Sequence, residues 1–229
     1  MSSHIELTAG DGFVVPAYQA RPTGPVKAAL VLVQEIFGLN AHIRAVADDF
    51  AAQGYLVLAP AMFHRVRSGV ELAYTPDDIA AGLALKAQIE ALPAPGVLQD
   101  IQACMDHALT LAGKVGLVGY CWGGLLTWRA ACLLKGVGAA VPYYGGGMTQ
   151  AGELARTVQA PVLAHFAQDD HSIPIEGVHR FRAAHPEVEV HLYPAGHGFN
   201  CDHRAAFDAT AAAQARQRTL AFFDHHLTL

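Results

Sequence analysis

The sequence predicts an α/β protein with a mostly parallel, doubly wound sheet flanked by helices. Three observations carry this. Short apolar runs recur along the chain, helical patterns separate them, and the chain is large enough to bury such a sheet: of its 229 residues 52% are hydrophobic and 15% charged. Continuous apolar runs suit parallel strands covered on both faces, and their alternation with helices is the pattern of βαβ units. The length lies near the upper range of one α/β domain, so a single domain over 1–229 is expected.

The apolar runs are 28–34, 55–59, 115–118, 137–141 and 162–166, while 188–193 alternates. Helical patterns fill the intervals at 41–53, closed by Gly54, at 76–91, at 97–111, closed near Gly113, at 123–134 and at 175–184. The Ala-rich stretch 204–226 reads as a last helix packed on the sheet. Pro93-Ala94-Pro95-Gly96 breaks a helix and marks no domain boundary. Residues 1–9 are polar and lack the basic start and long apolar stretch of a secretion signal. No run reaches the roughly 20 apolar residues that cross a bilayer.

A net charge of -5 provides no basic field for a phosphate backbone, which argues against a nucleic-acid partner. With no membrane segment, a cytoplasmic protein acting on a small molecule is expected. The four cysteines, Cys104, Cys121, Cys132 and Cys201, are too scattered for a disulfide framework or a Cys-x-x-Cys metal pair. Cys104 and Cys132 fall in helical patterns beside Ala and Leu, where a small buried side chain is the ordinary reading. Thirteen histidines raise the question of metal. His64, His203, His225 and His226 lack zinc spacing, and His197, Cys201 and His203 form at most an opportunistic cluster. No metal and no cofactor is expected.

In open α/β sheets ligands bind beyond the carboxyl ends of the strands, so polar residues that follow the apolar runs carry the most weight. Gly119-Tyr120-Cys121-Trp122-Gly123 places a cysteine at a turn between a strand and a helix. Glycines two residues to either side remove side chains that a sharp elbow would crush, and the helix start offers N–H groups and partial positive charge to a thiolate or oxyanion. Gln34-Glu35-Ile36-Phe37-Gly38 follows the first run, Asp169-Asp170-His171-Ser172 the fifth, and Ala195-Gly196-His197-Gly198-Phe199 the sixth. Cysteine, aspartate and histidine in that order, each past its own strand, match the nucleophile, acid, base order of α/β-hydrolases.

At these residues the chain resembles the dienelactone hydrolase family. The resemblance runs through Gln34 to Asn40, Val115 to Gly124, Tyr143-Tyr144-Gly145, Asp170-His171-Ser172-Ile173-Pro174 and Ala195 to Phe199, and spans most of the chain in order. It implies the α/β-hydrolase fold, hydrolysis of a small ester or lactone, and a triad of Cys121, Asp170 and His197. It also implies that Glu35 helps generate the thiolate as substrate binds.

A free cysteine is mostly protonated at neutral pH, so something must draw off its proton. His197 accepts it, and Asp170 orients the imidazole and stabilises its charged form. Spacing does not separate Asp169 from Asp170; the resemblance favours Asp170, whose alternative is a helix cap. Glu35 either accepts a proton or pairs with an arginine such as Arg204. The backbone N–H groups of Trp122 and Ile36 are the expected oxyanion donors. Phe37, Tyr74, Lys86, Tyr144, Phe199 and Arg204 are candidates to line the substrate site, the aromatics being equally plausible as core.

The pattern departs from the family in its carboxylate-binding arginines. Residues 75–88 hold no arginine, only Lys86, and the position four after His197 is Cys201, with Arg204 three further on. Lysine does not reproduce a bidentate guanidinium clamp, so the reaction class is better supported than the lactone. Two readings compete with hydrolysis: a silent α/β-hydrolase used for binding, and a redox protein in which Cys201 resolves an oxidised Cys121.

Overall fold

The computed structural model describes residues 2–228. Contacts divide the chain into two units, residues 1–116 and 117–229, with the boundary inside one strand.

The first unit opens with β1 (Ser2–Thr8) and β2 (Val14–Ala20), an antiparallel hairpin in register from Ser2 opposite Ala20 to Thr8 opposite Val14. Its turn follows from Asp11 and Gly12. The Asp11 carboxylate accepts from the Phe13 N–H at 3.1 Å, and Gly12 takes a φ of 83°. The polar stretch that gave no strand signal in the sequence is thus a strand from Ser2 to Thr8. In β1 only Ile5 and Leu7 are half-buried among exposed neighbours, so it carries no apolar run.

β3 (Ala28–Val33) and β4 (Tyr55–Pro60) are buried throughout and pair in parallel, as expected of runs covered on both faces. Between them α1 (Ala41–Ala52) starts where the Asn40 side chain accepts from the Ile43 N–H, and it buries Ile43, Ala47 and Phe50 along one face. Next comes α2 (Pro76–Glu90), opened by a capping box between Thr75 and Asp78 with Pro76 in its first turn. In α3 (Leu98–Leu111), Ile101, Cys104, Met105 and Ala108 form the buried stripe. Strand order in this unit is β1-β2-β4-β3, with α1 against β4 and α3 against β3 and β4.

The boundary falls in β5 (Val115–Tyr120), which leads directly into α4 (Trp122–Leu133). β6 (Ala139–Tyr143) follows, then the four-residue α5 (Ala151–Leu154), β7 (Leu163–Ala167), α6 (Ile175–Ala184) and β8 (Glu189–Tyr193). β6 pairs with β7 and β7 with β8, both in parallel. α5 is too short to leave a periodic signal. α7 (Ala209–Leu227) begins later than the expected 204, because Asp208 caps it by accepting from Ala211 N–H at 2.8 Å, and the residues before it form turns. Ala211, Ala215, Thr219, Phe223 and Leu227 recur every fourth residue as its buried stripe, and α7 packs on β6 and β7. No described helix is long and apolar enough to cross a membrane.

Candidate active site

The end of β5 shows why the glycines are there. Cys121 sits at φ 56° and ψ -119°, a conformation that costs a residue with a side chain about 1–3 kcal/mol. A Cβ on Gly119 would run into the Gly123 carbonyl and Thr127 Oγ1, and one on Gly124 would lie 2.6 Å from the Tyr143 carbonyl oxygen. The elbow therefore forms only with bare backbone at these positions. Its hydrogen bonds hold it there: Cys121 N–H donates to the Tyr143 carbonyl at 3.0 Å, and the Cys121 carbonyl accepts from the N–H of Gly124 and Leu125. The thiol is half-buried at the start of α4.

Beyond β7 and β8 two loops are stitched together by backbone. Gln168 N–H donates to the Tyr193 carbonyl and Asp169 N–H to the Ala195 carbonyl. Asp169 is exposed, whereas Asp170 is buried and divides its oxygens between two tasks. Oδ1 accepts from the N–H of Ser172 and Ile173 at 2.8 and 3.1 Å, and Oδ2 lies 2.7 Å from His197 Nδ1. Asp170 thus closes a turn over Ser172 and Ile173 while facing the imidazole, and it is not the cap of α6, whose N-cap is Pro174 with no side-chain cap bond. His197 Nε2 lies 3.2 Å from Cys121 Sγ. The three residues form one hydrogen-bonded line.

Burial is the largest influence on His197 and alone would disfavour a charged ring. The negative charge of a Cys121 thiolate and the Asp170 hydrogen bond outweigh it and raise the imidazole to about 10. Burial has the opposite outcome at the idle thiols: it pushes Cys132 up to about 12 and Cys104 higher still. Neither Cys121 nor Cys201 is in a disulfide, and Cys201 is fully buried.

Aromatic rings surround His197. Tyr144, at φ 34°, meets the His197 ring edge-on at 5.2 Å, and Phe199 packs edge-on against Tyr144 at the same distance. Gly198, at φ 86°, leaves room for the Arg204 guanidinium, whose Cζ lies 2.7 Å from where a Cβ would stand. Trp122 is buried at the first turn of α4.

The remaining expected residues lie in the first unit. Glu35 is fully buried, with Tyr74 Oη donating to its Oε2 at 3.4 Å, and Asn40 Nδ2 donating to Tyr74 Oη at 3.1 Å. The Ile36 carbonyl packs against Gly82, where a Cβ would strike it. Gln34 Nε2 donates to the Glu35 carbonyl and its Oε1 accepts from Met62 N–H, which fixes the peptide between Glu35 and Ile36. Phe37 and Tyr74 pack at 4.4 Å between ring centres. Lys86 pairs with Glu90 one turn along α2 at 2.7 Å. Among the histidines weighed as ligands, His203 is half-exposed beside Asp202, and His225 packs edge-on against His226. Sequence reasoning passed over Thr219, His165 and Tyr193, which form a buried polar cluster. A histidine inside the apolar run 162–166 was the available signal.

A sequence profile described as the dienelactone hydrolase family matches residues 15–227. A Synechocystis protein provisionally named a carboxymethylenebutenolidase is 36% identical, over 93% of this chain and 92% of its own length. One from Escherichia coli K12 with the same provisional name is 34% identical, covering 93% and 83%. Among solved structures, a provisionally assigned dienelactone hydrolase from Klebsiella pneumoniae superposes with a TM-score of 0.82 at 30% identity, covering 97% of this chain and 98% of that one. An esterase from Pyrococcus furiosus shares the fold with a TM-score of 0.73 at 14% identity, covering 99% and 93%. The chain has the α/β-hydrolase fold and belongs to the dienelactone hydrolase family of carboxylic ester hydrolases.

Proposed function

We propose that the chain hydrolyses a small activated ester or lactone through a thioester on Cys121. The observation that carries this reading is the line Cys121 Sγ, His197 Nε2, His197 Nδ1, Asp170 Oδ2, with links of 3.2 and 2.7 Å, starting from a cysteine held in a strained elbow. The thiolate attacks the carbonyl carbon and the carbonyl pair moves to oxygen. As the tetrahedral adduct collapses, the His197 imidazolium gives its proton to the leaving alkoxide. Water then attacks the thioester while His197 takes a water proton, and collapse of the adduct restores thiolate and imidazolium and releases the carboxylic acid, which gives its proton to solvent. The Trp122 N–H, in the helix turn that precedes any intrahelical acceptor, is the oxyanion donor on this elbow. The same reading assigns a second donor to the Ile36 N–H and help in thiolate formation to Glu35.

A thioester suits esters and lactones better than amides, and the relatives' names point to carboxymethylenebutenolide-type lactones. Arg204, lying on the Gly198 backbone next to His197, is the cation assigned to a substrate carboxylate, with Tyr144 and Phe199 as apolar walls. Free thiols fit a reducing compartment, and cytoplasmic, metal-independent activity is part of the reading. Stopped-flow hydrolysis of p-nitrophenyl acetate and dienelactone tests it. Wild type should show an acyl-enzyme burst indifferent to EDTA, and Cys121→Ala should show neither burst nor turnover. Turnover surviving in Cys121→Ala, or lost to EDTA, removes the mechanism. Arg204→Met should raise KM for dienelactone and leave the neutral ester unchanged.

A further inference from the structure

Five polar side chains from four elements meet in the interior of the second unit. Arg218 Nη1 donates to Tyr193 Oη at 2.9 Å, with its guanidinium against the Tyr193 ring. Tyr193 Oη lies 2.9 Å from His165 Nδ1, His165 Nε2 lies 3.0 Å from Thr219 Oγ1, and Thr219 Oγ1 lies 2.6 Å from Tyr143 Oη. Tyr143, His165, Tyr193 and Thr219 are at most 1% exposed.

Apolar residues of the same shapes would fill this space with no loss of net stability, because buried polar groups gain little from bonding one another beyond what water offered them. What directional bonds add is a single arrangement, and here that arrangement reaches the reacting groups through backbone. The Tyr143 carbonyl receives the Cys121 N–H, and the Tyr144 N–H donates to the His165 carbonyl at 2.7 Å, holding the ring that stands edge-on to His197. Cys121 and Tyr144, the two non-glycine residues at positive φ among the described residues, are thus held by the two strands that this chain of bonds ties to α7.

We propose that Thr219 and His165 are positioning residues for the Cys121 and His197 pair, joining α7 to the ends of β6 and β7 so that the strained elbow and the Tyr144 ring keep one geometry. The proposal rests on the thioester reading above. The bonds also have a direction. Arginine only donates, and a phenol oxygen that accepts from a cation becomes the better donor, so Tyr193 gives its proton to His165 Nδ1. His165 then carries its own proton on Nε2 and donates it to Thr219, the tautomer expected of a ring that burial keeps neutral.

The test compares Thr219→Val, which keeps the shape and removes the hydroxyl, with Thr219→Ser, which keeps the hydroxyl. With p-nitrophenyl acetate, Thr219→Val should lower kcat by about 10-fold or more with KM little changed, since an ångström of misplacement in a reacting group costs up to ~100-fold. It should slow alkylation of Cys121 by iodoacetamide in step, the other three thiols being buried. Thr219→Ser should restore both. Wild-type kcat and alkylation in folded Thr219→Val overturn the proposal, while an inactive Cys121→Ala in the same experiment keeps the thioester reading. Nitrogen NMR of wild-type His165 needs no variant: the proton on Nε2 is expected, and a proton on Nδ1 overturns the relay even if Thr219→Val fails to fold.

Discussion

Two ionic constellations in this molecule use the same kinds of groups to opposite ends. In the first unit Arg65 is clamped: its guanidinium donates to both oxygens of Asp100 and both of Asp11, at 2.6 to 3.1 Å, and lies over the Phe13 ring. In the second, Asp170, His197 and Cys121 are linked in a single file that ends on a half-buried sulfur. Around Arg65 every charge is answered from several sides. Its hydrogen bonds hold the Asp11 carboxyl down at about 2, and at Asp100 burial pushes the carboxyl up against the pull of the arginine. The cluster ties the β1–β2 turn to α3 and leaves no group over. In the line from Asp170 to Cys121 the last group is left over, and Cys121 occupies a conformation it would avoid in a free peptide. Strongly shifted ionisation marks both places; only the second adds an unspent thiol on strained backbone, the feature on which the proposed chemistry rests.

The largest effect that separates them is on turnover. Asp170→Asn should lower kcat by at least about 100-fold with the fold intact, because the imidazole loses its orienting acceptor; circular dichroism beside the burst assay checks it. Arg65→Ala should behave in reverse. Leaving Asp100 buried and unpaired costs about 3–5 kcal/mol in urea unfolding, and kcat of the folded fraction should not change. A fall in kcat there with stability preserved would erase the distinction.

The pH dependence sharpens the comparison further. Because His197 is raised above its ordinary 6.5 to about 10, its contribution to stability is complete below the lower value and is lost as pH rises through the higher. Acylation, which spends the imidazolium proton, should decline over the same upper limb. In Cys121→Ser the attracting thiolate is gone, so a histidine NMR titration should find His197 lower than in wild type. The smallest effect is on the elbow itself. Cys121→Gly relieves the positive φ and should raise unfolding stability by about 1 kcal/mol while abolishing turnover. A loss of stability would show that the elbow holds no strain.

Much of this was legible in the residues. The runs at 28–34, 55–59 and 162–166 are strands to within a residue or two, because a strand covered on both faces must be apolar throughout and so advertises itself. Gly54 and the Thr75-Pro76 pair mark helix ends for equally local reasons. β1 was hidden because a strand exposed along most of its length needs no apolar pattern, and the residues 204–208 ahead of α7 share the composition of the helix they precede.

At the site, the order of Cys121, Asp170 and His197 and their places after strands followed from sequence, since sheet topology confines ligand-facing residues to strand ends. Which aspartate faces the imidazole did not. Asp169 and Asp170 are chemically alike, and only the loop's backbone bonds to Tyr193 and Ala195 turn one outward and the other inward. Thr219 in an Ala-rich helix and His165 in an apolar strand likewise have no local pattern that joins them. The sequence by itself determined the α/β fold, the elbow and the chemical kinds in the proposed triad, because these depend on neighbours within a few positions. Tertiary structure alone decided which carboxylate is spent on His197, that its neighbours raise His197 against burial, and that α7 reaches back to the elbow, because each is a balance among groups that only folding brings together.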